Sequence, residues 1–209
     1  MNIISNCCLV GDLCEVKHIQ YFTPFVWNSL FPDAIKTIIE HYNEIDFTHV
    51  ELCKKDRYLG VNIDDKLKCY YIHYLWAPHE QLIRNKITKE VKGRHIFEYV
   101  LDSYNRRLAR LNIKEKPKFL FITNRKAHAD ILGRNETPEE WQEIIDLLKK
   151  HDYKAIVFTK FNNLLGNENV KIVKITDDNP RVTLEQNLTL VNDFIFSCVK
   201  KNQLSSAVD

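Results

Sequence analysis

The stretch Lys118-Phe119-Leu120-Phe121-Ile122-Thr123 is a lysine, an unbroken apolar run and a closing threonine. A strand that is apolar at every position buries both faces, which is the habit of parallel sheets covered by helices on both sides. Thr137-Pro138-Glu139-Glu140 follows as a capping box with proline at the first helical position, and predicts a helix to about Lys150. Ala155-Ile156-Val157-Phe158-Thr159 is a second buried-type strand, and Val170-Lys171-Ile172-Val173-Lys174-Ile175 a third. Thr183-Leu184-Glu185-Gln186 has the form of another capping box, opening a helix with Leu188, Val191, Phe194, Ile195 and Cys198 inside. This order predicts an α/β, Rossmann-like fold: a mostly parallel sheet with helices on both faces.

Toward the N-terminus, Asn2 to Ser5 reads as a short strand. Asn6 to Asp12 reads as a turn around Gly11, with a short helix to about Ile19. Thr23-Pro24-Phe25-Val26-Trp27 is extended, because the residue before proline avoids the helical region. Asp33 is placed to cap a helix with Ala34, Ile35, Ile38, Ile39 and Tyr42 at helical spacing. Residues 47–52, 58–63 and 69–75 read as strands, the last rich in aromatics. A helix over about 94–111 carries Phe97, Val100, Leu101, Tyr104, Leu108 and Leu111 on one stripe. Gly93 leaves 79–92 unassigned, and whether the two halves share a sheet stays open. The expected organisation is one domain over 1–201 with a frayed tail at 202–209.

The chain has 209 residues, 44% hydrophobic and 28% charged, with a formal charge of +2. That charge is too small to attract nucleic acid by bulk electrostatics. The first residues lack a basic head and a long apolar run, and no stretch is apolar for long enough to span a membrane, so a cytoplasmic protein is expected. The cysteines Cys7, Cys8, Cys14, Cys53, Cys69 and Cys198 then read as free thiols. Neither they nor His79, His95, His128 and His151 have zinc-ligand spacing, so no metal site is expected. With no Walker loop and no GxGxxG, the sequence names no cofactor. It leaves the oligomeric state open.

Ligands of parallel α/β sheets gather at the carboxyl ends of the strands. Those ends are expected at Ser5 to Cys8, His73 to Trp76, Thr123 to Arg125 and Thr159 to Phe161. Cys8, just past a strand and near a helix start, is a candidate nucleophile, since a helix N-terminus favours the thiolate. The alternative is a buried structural cysteine. His73, closing an aromatic strand, is its candidate base; the alternative is a core histidine bonded to backbone. Cys and His within hydrogen-bond reach suffice for covalent acyl chemistry. Arg106 and Arg110 share a helix face, and with Arg107, Arg125 and Lys126 could hold a phosphate or carboxylate. The alternative is plain solvation and favourable charge at a helix C-terminus.

Ile3-Ile4-Ser5-Asn6-Cys7-Cys8, Gly11 and Thr23-Pro24-Phe25 resemble the opening of a bacterial family of exopolysaccharide-biosynthesis proteins, which runs I-S-N-x-C, a nearby glycine and a later P-F. The likeness continues at Ile72-His73-Tyr74, Asn105-Arg106-Arg107-Leu108-Ala109-Arg110-Leu111 and Phe121-Ile122-Thr123-Asn124-Arg125, covering residues 2 to about 160 in order. A papain-like cysteine peptidase group has a similar plan, with a P-F-D-W motif that here becomes Pro24-Phe25-Val26-Trp27, without the acid. The resemblance implies a role in building or modifying cell-surface polysaccharide. It puts Cys8 and His73 at the matched polar positions; Asn6 and Trp27 join Arg106, Arg107, Arg110 and Arg125 as candidate residues for binding a small-molecule or glycan substrate. Three readings follow: a cysteine-dependent acyl or glycosyl transferase, a cysteine hydrolase or peptidase using the same pair, and a non-catalytic sugar-binding module.

Overall fold

The computed structural model describes residues 2–6, 10–11, 25, 29–55, 58–71, 105–106, 108–109, 111, 114–123, 126–177 and 179–194. Strands β1 (Ile3–Ser5), β5 (Lys118–Ile122), β6 (Ala155–Thr159) and β7 (Val170–Lys174) form a four-stranded, all-parallel sheet in that order. Ile3 lies opposite Lys118, Phe119 opposite Ala155, and Ala155 opposite Val170. Strands β2 (Val50–Lys55), β3 (Tyr58–Ile63) and β4 (Leu67–Tyr71) form a separate antiparallel sheet. The open question of the two halves is thereby answered: β1 joins the C-terminal strands, and 50–71 stands apart.

The apolar run of β5 is buried on both faces, as its composition demands. Phe119 and Phe121 join Ile4, Ala155, Val157 and Val170 in one core; Leu120 and Ile122 join Ile3, Ile156 and Phe158 in the other. Helices α1 (Pro32–His41) and α3 (Pro138–Lys150) and the antiparallel sheet close the first core, through Ile35, Ile38, Trp141, Ile144, Val61 and Leu67 among others. Val10, Leu184 and Val191 close the second. Helical segments therefore cover both faces. Leu108 and Leu111, from the expected stripe of 94–111, pack against the first core.

Several boundaries move for local reasons. Helix α1 is capped at Phe31, not Asp33, because Pro32 has the φ of a first helical residue; Asp33 falls in the first turn, where its charge still suits the helix dipole. Strand β2 starts at Val50 rather than 47, because the Asp46 carboxylate accepts from the Thr48 N–H at 2.9 Å and holds residues 47–48 in a turn. Helix α4 (Pro180–Gln186) is capped by Asn179, whose side chain accepts from the Arg181 N–H at 3.0 Å, so Thr183 lies inside it and caps nothing. Residues 188–194 are helical after Asn187. Val10 and Gly11 are helical, inside the span expected to be a turn. Helix α2 (Lys126–Leu132) was not expected at all: seven residues are too few to show a period.

The capping box of α3 forms as its sequence predicts. The Thr137 hydroxyl accepts from the Glu140 N–H, and the Glu140 carboxylate accepts from the Thr137 N–H at 2.9 Å. Arg134 pairs with the same carboxylate and, with the Thr137 N–H, holds it below the usual range. A depressed carboxyl stabilises the fold above its unfolded value, about pH 4.3, and that contribution fades as pH falls through the folded value. Thr137→Ala is expected to lower stability by about 1 kcal/mol, read as a shift of the urea midpoint at constant slope.

One expectation is corrected here. The sequence predicts residues 73–76 at a carboxyl end of the parallel sheet, but among the described residues the strand before them, β4, pairs with β3 in the antiparallel sheet. Its mixed polar and aromatic pattern, Leu67-Lys68-Cys69-Tyr70-Tyr71, fits a sheet with one face on the core. His73 itself lies outside the described residues.

Candidate functional site at the carboxyl end of the first strand

Asn6 follows β1 and continues its pairing with a side chain instead of a backbone. Its Nδ2 donates to the Ile122 carbonyl and its Oδ1 accepts from the Ile122 N–H, both at 3.0 Å. An amide side chain has the donor and acceptor of one peptide unit, so Asn6 completes the ladder to β5 where the strand itself has ended. Asn6 is fully buried, and so are Ser5 and Thr123 beside it. Asn2 performs the matching task at the other end: its carbonyl accepts from the Lys118 N–H, and its Nδ2 donates to the Glu115 carbonyl.

The peptide at Asn6 is held a second time. His128, on α2, puts Nε2 3.0 Å from the Asn6 carbonyl and Nδ1 2.9 Å from Glu136 Oε1. The Trp141 indole N–H donates to Glu136 Oε2 at 3.1 Å. The His128 and Glu136 side chains and Trp141 are all sealed from solvent. Phe31 meets the His128 ring edge-on, 5.7 Å between centroids.

The partners dictate the protons. A carbonyl only accepts, so Nε2 carries a hydrogen. Nδ1 and Oε1 then share one proton between them, as imidazolium with carboxylate or as imidazole with carboxylic acid. Either way the pair is neutral as a whole and buries no net charge. The arrangement is a sealed, hydrogen-bonded polar wall behind the carboxyl end of β1. At the next strand ends the Thr123 and Thr159 hydroxyls hydrogen-bond to each other at 2.8 Å, and Thr159 also accepts from the Phe161 N–H.

Of the residues singled out from sequence, Asn6 is at the centre of this cluster. Arg106 is exposed on a helical stretch. Cys8, Trp27, His73, Arg107, Arg110 and Arg125 lie outside the described residues. Cys53 is half-buried and Cys69 buried. Among the described residues, no group of three His, Cys, Asp or Glu could hold a metal ion, and no helix is long and apolar enough to cross a membrane.

His128, Glu136 and Trp141 were not picked out as a set from sequence. A signal was present. Glu136 precedes the N-cap of α3 and Trp141 is its fourth residue, the two positions that usually join as a hydrophobic staple. A carboxylate where an apolar residue belongs, facing an indole N–H, marks a buried polar pair.

No family model matches the chain, and no curated protein matches it. The functional reading therefore rests on the residues.

Proposed function

We propose that this protein is an enzyme of cell-surface polysaccharide synthesis that moves an acyl group from a small-molecule donor to a glycan through Cys8, in a Rossmann-like fold. The observation that carries this reading is the doubly held peptide at Asn6, two residues ahead of Cys8 in the chain. Covalent catalysis needs its nucleophile on a rigid support, and the carboxyl end of a parallel strand is where such folds take their ligands. The I-S-N-x-C resemblance puts the same asparagine in the motif.

In this reading His73 takes the Cys8 proton and the thiolate attacks the donor's acyl carbon. The new C–S bond forms as the donor's leaving group departs with that proton. A glycan hydroxyl then attacks the thioester and gives its proton to His73. The C–S bond breaks, and the proton returns to sulfur. Arg106, Arg107, Arg110 and Arg125 hold the anionic part of the donor, and Trp27 offers a ring face to the sugar.

The test is incubation with an acyl thioester, with and without an oligosaccharide acceptor. The expected product is acylated glycan, and Cys8→Ala is expected to slow its formation roughly a thousandfold or more. Free acid at the same rate without acceptor would mean a hydrolase. Transfer unaffected in Cys8→Ala would remove the thiol from the chemistry.

A further inference from the structure

A buried histidine bridging a carboxylate and a main-chain carbonyl does more than fill space. The Asn6 carbonyl is the last main-chain acceptor of the β1 end before Cys7, and His128 alone among the described side chains reaches it. Behind His128, Glu136, just ahead of the α3 N-cap, holds the ring, and Trp141 on α3 holds Glu136. We propose that His128 is a positioning residue that sets the reactivity of the Cys8 thiol by holding the peptide from which the Cys7–Cys8 segment departs. This deepens, and rests on, the reading of Cys8 as nucleophile. His128 does not touch the reacting atoms in this account; it acts through Asn6.

Two substitutions separate the ring's two contacts. The amide nitrogen of glutamine falls near where Nε2 stood, so His128→Gln keeps a donor for the Asn6 carbonyl and gives up Glu136. That of asparagine falls near Nδ1, so His128→Asn keeps the Glu136 contact and releases Asn6. Each variant leaves one buried partner unmet, so a merely structural histidine would make them alike. Glu136→Gln leaves every contact in place: the glutamine N–H donates to Nδ1, its oxygen accepts from Trp141, and Nε2–H still reaches Asn6.

The experiment measures Cys8 alkylation by iodoacetamide and Cys8 acylation by an acyl thioester in the full chain, with tandem mass spectrometry separating Cys8 from Cys7. Folding is checked by circular dichroism. His128→Asn is expected to slow both reactions of Cys8 by about 10-fold or more, while His128→Gln and Glu136→Gln stay within about threefold of the wild type. Equal rates in folded His128→Asn and His128→Gln would overturn the positioning role, and acylation of the wild type would still leave the acyl reading intact. Alkylation that follows residue 128 in a protein that takes no acyl group would sustain the positioning role and end the acyl reading. Should His128→Asn not fold, the wild type labelled with 15N-histidine decides. Alkylating Cys8 is then expected to move the His128 Nε2 resonance, and an unmoved resonance would overturn the proposal.

Discussion

Glu136→Ala is expected to destabilise the protein by about 3–5 kcal/mol, a large share of the whole stability of a domain this size. The Glu136 carboxyl group is sealed between two partners on different helices, His128 Nδ1 on α2 and Trp141 Nε1 on α3. Alanine removes both hydrogen bonds at once. It leaves an indole N–H and one side of an imidazole facing a dry gap, and each orphaned buried group costs about 1–3 kcal/mol. The gap adds a cavity term. Glu136→Gln keeps both bonds with a neutral imidazole, and its cost is expected to stay under about 1.5 kcal/mol. Urea unfolding at neutral pH measures the two losses. Equal losses, or a small one for alanine, would mean that water or a rearranged ring replaces the carboxylate.

Asn6→Ala carries the second large effect, roughly 2–5 kcal/mol. It strips the donor and the acceptor that Ile122 meets, both buried. Asn6→Asp is the sharper probe. Aspartate still accepts from the Ile122 N–H, but turns a second oxygen on the Ile122 carbonyl, so two acceptors meet in a dry site. The aspartate variant is therefore expected to be no more stable than alanine at neutral pH, despite its closer shape. Thermal and urea unfolding check the order. An aspartate variant as stable as the wild type would show that the amide is not needed to extend the β1–β5 ladder.

The parallel sheet was legible because its strands are extreme. Phe119 to Ile122 and Ala155 to Phe158 are apolar on both faces, which only a covered sheet accommodates. Thr137-Pro138-Glu139-Glu140 was legible because a capping box is local: every partner lies within one turn. Proline at 32 and 180 moved two helix starts ahead of the polar residues that looked like caps. The separation of β2–β4 from the main sheet was not legible, since pairing between distant strands leaves no local mark. Asn6 was legible through its place in I-S-N-x-C and at the expected strand end Ser5 to Cys8. The wall behind it was hidden for a different reason. His128 meets Asn6 across 122 positions of chain and Glu136 across 8, and a histidine that bridges one carboxylate and one main-chain carbonyl leaves no spacing pattern in a sequence.

The claim beneath these expectations is that the segment leaving Asn6 presents a thiol that takes acyl groups. Rapid quenching of the wild-type protein with an acyl thioester, followed by tandem mass spectrometry, tests it directly. The account predicts one acyl group per chain, carried on Cys8 and discharged when glycan acceptor is added. An adduct spread at similar rates over Cys53 and other thiols, or a Cys8 that stays unmodified while donor is consumed, would contradict it.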